Sequence, residues 1–199
     1  CGLCSKVCQE KVGIHYNPKK AVDPVCLSCG QCVLSCPVGA LVPKYCYKKV
    51  LNYINDTEKV VVAFTSPAVR VALGEEFKSP DINVEGKMIA ALKELGFDYV
   101  LDTTFGADLT IMEEASELIS RIKENKPLPQ FTSCCPAWVR YLEIYHPNLI
   151  KHLSTCKSPI GMQGAIIKSY FAEMMDIPKE NIISVAITPC PAKKSEIKS

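Results

Sequence analysis

The 199-residue sequence lacks the long apolar runs and the one-sided charge that mark membrane and nucleic-acid proteins. No apolar stretch reaches 18 residues, which argues against a membrane-spanning helix. The formal net charge is only +2, with no run of Lys and Arg, so neither nucleic acid nor an anionic membrane is implied as a partner. A signal peptide is also lacking, but the first residue is Cys1 rather than Met. A cytoplasmic location is therefore expected, with the periplasm left open.

Cysteine, in contrast, is abundant: there are 12, and seven lie in the first 36 residues at spacings of three and four. Thiols this close in sequence suit a metal better than disulfides that close long loops. The segment CLSCGQCVLSCP has the C-x2-C-x2-C-x3-C-P spacing of bacterial ferredoxins. A zinc knuckle or a disulfide knot is the alternative, although zinc sites usually use two CxxC pairs.

A second, incomplete run of cysteines precedes this one, because CGLCSKVC has the spacing of the last three cysteines of such a motif. In two-cluster ferredoxins the fourth cysteine of each run binds the other cluster. One [4Fe–4S] cluster is therefore expected on Cys8, Cys26, Cys29 and Cys32. A second is expected on Cys1, Cys4 and Cys36, with its fourth ligand upstream of the sequence. Such a pair transfers electrons one at a time, and a purely structural pair is the alternative.

The remaining sequence alternates short β-branched runs with segments of helical periodicity. Strands are predicted at KVVVAF from Lys59, YVLDTT, PQFTS and NIISVAIT, and helices at 45–55, 67–77, 86–95, 106–125, 136–145 and 159–175. This order predicts an α/β fold in which a ferredoxin-like 2[4Fe–4S] module, residues 1–44, is followed by a parallel-sheet lobe, residues 45–199. Ligands of such sheets bind beyond the carboxyl ends of the strands. Three predicted strands run into Ser66-Pro67, Cys134-Cys135 and Pro189-Cys190.

The adjacent thiols of Cys134 and Cys135 indicate a division of labour. A disulfide between neighbours would strain the peptide that joins them. Successive strand residues alternate faces, so both side chains reach one site only where the chain turns, and Pro136 provides that turn. One cysteine can then bind a metal as thiolate while the other stays protonated beside it.

Two motifs in the second half, TSCCPAW and TPCPAKKSE, resemble signature motifs of the [FeFe]-hydrogenases. The segments GADLTIMEEASELISRI, KSP at Lys157 and PAVRVALGE at Pro67 resemble the catalytic domain of that family, so the resemblance covers essentially the whole chain. It implies an anaerobic enzyme that reversibly oxidises H2 to protons and electrons. Its electrons would pass to ferredoxin or to a flavin subunit serving NAD(P), and maturation proteins would assemble its cofactor. A sensory relative, or a non-catalytic iron–sulfur assembly protein, is the alternative.

The resemblance also implies an H-cluster, a [4Fe–4S] cubane bridged by a cysteine sulfur to a two-iron centre with CO, cyanide and an amine dithiolate. Cys135 and Cys190 match two ligands of the cubane, and Cys134 matches the thiol that exchanges protons with the amine. Lys193 matches the lysine that contacts a cyanide ligand. Glu196 closes the motif and is expected to pair with a nearby cation.

A proton relay is implied by the helix predicted at 106–125. Glu114, Glu117 and Arg121 fall at i, i+3 and i+7, on one face; by pattern alone, a solvated charged stripe is the alternative. By the resemblance, these three residues match the proton relay of the family, and Ser154 matches the hydroxyl member of that relay. The implied order from solvent inward is Arg121, Glu117, Ser154, Glu114 and Cys134, with Arg121 holding Glu117 in place rather than carrying the proton.

Three departures from the family pattern remain. Thr188 stands where many members have methionine, and Ala68 where some have serine, which leaves the subgroup open. Cys46 and Cys156 match no ligand position and are expected to be a half-buried free cysteine and a small buried filler. The third family motif, with the other two cysteine ligands, is missing before Ser199, so this piece of a longer enzyme is expected to be inactive alone.

Overall fold

The computed structural model describes residues 1–15, 25–79 and 83–197. The chain forms two compact units, each built from separate stretches of sequence. The cysteine-rich unit comprises Cys1–Tyr45, Pro127–Leu153 and Cys190–Ser199, and the sheet unit comprises Cys46–Lys126 and Ser154–Pro189. The division predicted from sequence, 1–44 and 45–199, stays a prediction. Within the described ranges, no helix has the length and apolar character needed to cross a membrane.

Ten helices and three strands are found in the described part of the chain. The helices are α1 (Leu3–Val7), α2 (Gln31–Leu34), α3 (Tyr47–Ile54), α4 (Pro67–Glu76), α5 (Glu85–Glu94), α6 (Thr104–Lys123), α7 (Pro136–Tyr145), α8 (Pro159–Ile166), α9 (Ala172–Met174) and α10 (Lys193–Glu196). The strands are β1 (Val60–Thr65), β2 (Tyr99–Asp102) and β3 (Ile182–Ile187). A π-helical turn, Ile167–Phe171, joins α8 to α9 without a break, and a 3-10 helix, Pro147–His152, follows α7.

The three strands form a parallel sheet in the order β2-β1-β3. Val62 on the central strand lies opposite Tyr99 on β2 and Ser184 on β3. The sequence VVVAFT suits this place, because a central parallel strand is covered on both faces and is therefore apolar throughout. Val62 and Phe64 pack into one buried cluster with Ile167, Phe171 and Ile182. Val61 and Ala63 pack into a second with Phe97. The predicted α/β fold with a parallel sheet is thus confirmed.

The prediction of a strand at PQFTS is wrong. Phe131 makes one isolated parallel bridge to Leu153, and its N–H donates to the His152 carbonyl over 2.7 Å. Pro129 begins this short segment and Pro127 lies two residues before it, and a proline has no N–H to extend a ladder. Cys134 and Cys135 are therefore carried by a loop that enters α7, rather than by the end of a strand of the sheet.

A close approach of α6 and α8 organises the helical face of the sheet unit. It depends on Gly106, where an added Cβ would lie 2.4 Å from the Pro159 carbonyl oxygen and 3.0 Å from the Cβ of Gln163. No larger residue fits without moving one helix. The contact sets α6, which carries the predicted relay residues, directly against α8.

Candidate functional site

Five cysteines of the cysteine-rich unit, Cys4 among them, lie close enough for their charges to interact. Burial, together with the neighbouring thiols of Cys32, Cys29 and Cys26, raises the pKa of the Cys8 thiol to about 11. Burial also raises the pKa of Cys32, together with the charges of Cys29 and Cys26. Cys8, Cys26, Cys29 and Cys32 are the residues that the ferredoxin spacing assigned to one cluster.

The cysteines assigned to the second cluster are arranged more openly. Cys1 is exposed, whereas Cys4 is half-buried on α1 and acts electrostatically on Cys8. Backbone N–H groups of Leu41 and Val38 lower the pKa of Cys36, which favours the thiolate that a metal requires.

All 12 cysteines are free thiols in the structure. Among residues 1–15, 25–79 and 83–197, no three His, Cys, Asp or Glu side chains converge as they would on a single metal ion.

The loop that carries Cys26, Cys29 and Cys32 is held by contacts with other parts of its own unit. Arg140 on α7 donates from Nε to the Cys26 carbonyl over 2.6 Å. Gly30 adopts φ 79°, and a Cβ there would lie only 2.7 Å from Cγ of Pro191. The loop between Cys29 and Cys32 thus packs directly on the turn that follows Cys190.

The two signature segments are joined by Lys193. Cys135 caps the amino end of α7, and Pro136 is the first helical residue, so the chain does turn at the cysteine pair. Lys193, whose N–H donates to the Cys190 carbonyl over 3.2 Å, extends its ammonium to the Cys134 carbonyl at 2.6 Å. The same ammonium pairs with Glu196 at 2.7 Å, the cation expected for that glutamate.

Glu117 accepts hydrogen bonds on both carboxylate oxygens. Its Oε1 accepts from Nε and Nη2 of Arg121, at 2.9 and 2.7 Å. Its Oε2 accepts from the Ser154 hydroxyl at 2.8 Å and from the Thr155 N–H at 3.0 Å. Burial alone would raise the pKa of Glu117, but the bonds from Ser154, Arg121 and Thr155 outweigh it and lower that pKa. The carboxylate is thus held ionised.

The structure therefore brings together three of the predicted relay residues, Arg121, Glu117 and Ser154, all inside the sheet unit. Glu114 lies one helical turn before Glu117 on α6. The other predicted site residues belong to the cysteine-rich unit: Cys1, Cys4, Cys8, Cys26, Cys29, Cys32, Cys36, Cys134, Cys135, Cys190 and Lys193.

Two neighbours of Ser154 were missed by the sequence pattern. Thr155 donates from Oγ1 to Glu117 Oε2 over 3.3 Å. The Cys156 thiol lies 3.8 Å from the same oxygen, so this residue contacts Glu117 and does not only fill space. Burial raises the pKa of Cys156, and the charges of Glu117, Glu114 and Glu113 add to the effect. Their position directly after Ser154 was the one available signal.

A second ion pair of the sheet unit also escaped prediction. Arg70 on α4 contacts Asp102 at the end of β2 and Glu85 on α5. Asp102 Oδ1 in turn accepts from the Thr104 N–H at 2.9 Å. Burial opposes ionisation of Asp102, but these donors lower its pKa. The cluster fixes the start of α6 and thus the helix that carries Glu117.

Comparison with known proteins places these residues in a family context. Residues 59–199 match the C-terminal domain of the iron-only hydrogenase large subunit. The chain is 49% identical over 181 residues to the NADP-reducing hydrogenase subunit HndD of Solidesulfovibrio fructosivorans, covering 87% of this chain and 31% of that protein. It is 50% identical over 151 residues to the periplasmic [Fe] hydrogenase large subunit of Nitratidesulfovibrio vulgaris, covering 74% and 36%.

Similarity extends to a human protein and to a solved structure. The nuclear prelamin A recognition factor of Homo sapiens is 33% identical over 183 residues, covering 86% of this chain and 40% of that protein. A variant of apo [FeFe]-hydrogenase HydA1 from Chlamydomonas reinhardtii superposes with a TM-score of 0.71 at 44% identity, covering 75% of this chain and 39% of that one. The chain thus spans about a third of the length of the curated relatives it matches.

Proposed function

Since the chain belongs to the family of iron-only hydrogenase large subunits, we propose that this protein interconverts H2 with protons and electrons. The observation that carries the proposal is the contact of Lys193 with the Cys134 carbonyl at 2.6 Å. Through it the TSCCPAW and TPCPAKKSE segments, distant in sequence, meet at one place within the cysteine-rich unit. A metal-binding thiolate, a free thiol and an ammonium are the chemical groups that this reaction needs side by side.

The thiol chemistry of the chain fits the cofactors that the family implies. We assign Cys8, Cys26, Cys29 and Cys32 to one accessory [4Fe–4S] cluster, supported by their mutual electrostatic influence. Cys1, Cys4 and Cys36 are assigned to a second. Cys135 and Cys190 are assigned to the cubane of the H-cluster, which supplies the metal chemistry of hydrogen splitting when bound.

The remaining residues then have roles that follow from their own chemistry. Cys134 is a free, exposed thiol beside Cys135, and it is assigned to proton exchange at the active site. Lys193 presents an ammonium with a side chain only 13% exposed, and a charge in so enclosed a place suits a compact anionic ligand such as cyanide. In this structure the Glu196 carboxylate and the Cys134 carbonyl share that ammonium.

Proton movement is assigned to Glu114, Glu117 and Ser154, with Arg121 as the group that positions Glu117. The Ser154 hydroxyl donates to Glu117 Oε2 and accepts from the Cys156 N–H at 3.1 Å. A hydroxyl can both donate and accept a hydrogen bond, as a proton carrier must. Inward transfer requires this hydroxyl to accept from Glu117 and to rotate its own proton toward the next carrier.

The electron partner is proposed to be ferredoxin or a flavin subunit that serves NAD(P). The second possibility is supported by the name of the relative in Solidesulfovibrio, an NADP-reducing subunit. Maturation proteins would be needed to build the H-cluster. A cytoplasmic location is proposed, although one close relative is named periplasmic.

A second candidate is a sensory or non-catalytic iron–sulfur protein of the same family. The 33% identity to the human prelamin A recognition factor favours it, because that name describes recognition rather than hydrogen metabolism. The retained Cys134 thiol and the intact Glu117–Ser154 hydrogen bond favour the enzyme.

The deciding experiment uses full-length protein produced anaerobically together with hydrogenase maturation proteins. Hydrogen evolution from a reduced viologen dye is measured beside infrared absorption of metal-bound CO and cyanide. An enzyme gives both the bands and turnover, and Cys134→Ala should abolish turnover while keeping the bands. Bands with negligible turnover would identify a sensor. The lack of bands in well-folded, iron-loaded protein would refute the hydrogenase assignment.

A further inference from the structure

The solvent side of the Glu117 site is formed by Thr155, not by Arg121. Arg121 is only 6% exposed, and both its bonds to Glu117 go to Oε1. A guanidinium stays protonated at any ordinary pH, so it cannot pass a proton on. Thr155, in contrast, is an exposed residue whose hydroxyl reaches Oε2 of the same carboxylate.

The donors on Oε2 are unequal, and this leaves the Thr155 hydroxyl adaptable. Ser154 Oγ and Thr155 N–H are nearest, at 2.8 and 3.0 Å. They satisfy the two lone pairs of one carboxylate oxygen. Thr155 Oγ1 at 3.3 Å and the Cys156 sulfur at 3.8 Å are secondary donors. The Thr155 hydroxyl can therefore contact Glu117 and bulk water at the same time.

We propose that Thr155 is the positioning residue at the solvent end of the Glu117 site, where its hydroxyl donates to Oε2 and links that oxygen to water. The ionisable groups around this carboxylate are Arg121 on α6 and Cys156 on the loop, and the charges of Glu113 and Glu114 reach Cys156. Thr155, in contrast to these ionisable groups, offers a neutral hydroxyl that can donate and accept a hydrogen bond in turn. The relay part of the inference rests on the proposed function, whereas the hydrogen bond does not.

The first test titrates Glu117 in the full-length protein by infrared spectroscopy. The band of its protonated carboxyl is identified by its loss in Glu117→Gln and is then followed against pH. Thr155→Val keeps the shape of the side chain but removes a donor to the ionised form, so the pKa of Glu117 should rise. Thr155→Ser restores the hydroxyl and should restore the pKa.

Ser116→Ala is the matched control, because Ser116 lies beside Glu117 in sequence but donates to the Met112 carbonyl at 2.8 Å. It should leave the titration of Glu117 unchanged. An unchanged pKa in folded Thr155→Val, or an equal rise in Ser116→Ala, would overturn the proposal.

The second test measures hydrogen turnover of cofactor-loaded protein as a function of pH. Thr155→Val should lower the rate about a hundredfold, the lower end of what a positioned proton-transfer group contributes, and Thr155→Ser should restore it. A raised pKa of Glu117 with full turnover would remove Thr155 from the relay. Lack of turnover in the unmodified protein, with the pKa still raised by Thr155→Val, would refute the proposed function and leave the assigned hydrogen bond intact.

Discussion

Replacement of Glu117 by Gln separates a buried network from a solvated charged stripe, the two interpretations that the sequence pattern allowed. The change keeps the size of the side chain but removes the charge that faces Arg121. The amide N–H2 must then point either at the Arg121 guanidinium or at the donors of Ser154 and Thr155, so donors oppose donors in both orientations. Arg121, at 6% exposure, loses the carboxylate that it contacts at 2.7 Å.

The magnitude follows from this burial. An unsatisfied buried group costs about 1–3 kcal/mol, and removal of one partner from a buried ion pair costs about 3–5 kcal/mol. Because the Glu117 side chain keeps 16% exposure, we expect about 2–4 kcal/mol of lost unfolding free energy. An exposed i, i+4 pair on a solvated stripe would contribute only about 0.3–0.5 kcal/mol.

Urea unfolding followed by circular dichroism measures the difference between Glu117→Gln and the unmodified protein. Glu124→Gln is the control on the same helix end, since Glu124 pairs with Lys126 at the surface and should matter far less. Arg121→Met combined with Glu117→Gln should cost less than the sum of the single changes, because the double variant leaves no unpaired charge. A loss below about 0.5 kcal/mol for Glu117→Gln would refute the buried network.

Three further outcomes are expected. The pKa of Glu117 is lowered in the folded protein. Its stabilising contribution is therefore present above its unfolded pKa of about 4.3 and is lost as the pH falls through the folded value. The difference in unfolding free energy between the unmodified protein and Glu117→Gln should therefore disappear in acid, as measured by unfolding curves at a series of pH values. In metal-free protein, iodoacetamide should alkylate Cys36 before Cys8, because thiolate is the reactive form. The pKa of Cys36 is lowered, whereas that of Cys8 is raised to about 11. Peptide mass spectrometry gives the order of alkylation, and the reverse order would contradict the prediction. Gly106→Ala should destabilise despite a helix-propensity gain of about 1 kcal/mol, since its Cβ would lie 2.4 Å from the Pro159 carbonyl and overpacking costs about 1–3 kcal/mol; a raised Tm would count against the contact.

Local signals predicted most elements of the fold. The bounds of α7 were predicted to the residue, because Pro136 begins the helix and the apolar periodicity ends at Tyr145. The β-branched run of β1 was a sufficient signal for a buried parallel strand. PQFTS misled because its alternation is that of a strand, while the prolines around it prevent a ladder from forming.

The site was less accessible to sequence reasoning. The spacing of Glu117 and Arg121 indicated a shared helix face, but not whether that face is buried or exposed to solvent. This depends on the loop at Ser154, which long-range packing of α6 on α8 places beside it. The roles of Thr155 and Cys156 follow from that packing, and periodicity carries no information about it.

Gly30, the residue without a side chain that touches Pro191, has a consequence for how this protein tolerates change. Two stretches of chain that carry different cysteine motifs share one close contact there, one containing Cys29 and Cys32 and the other containing Cys190. A side chain added at Gly30 would clash with Pro191 and would therefore displace both stretches. Neither stretch can therefore shift without the other, and a substitution that distorts one would distort the other.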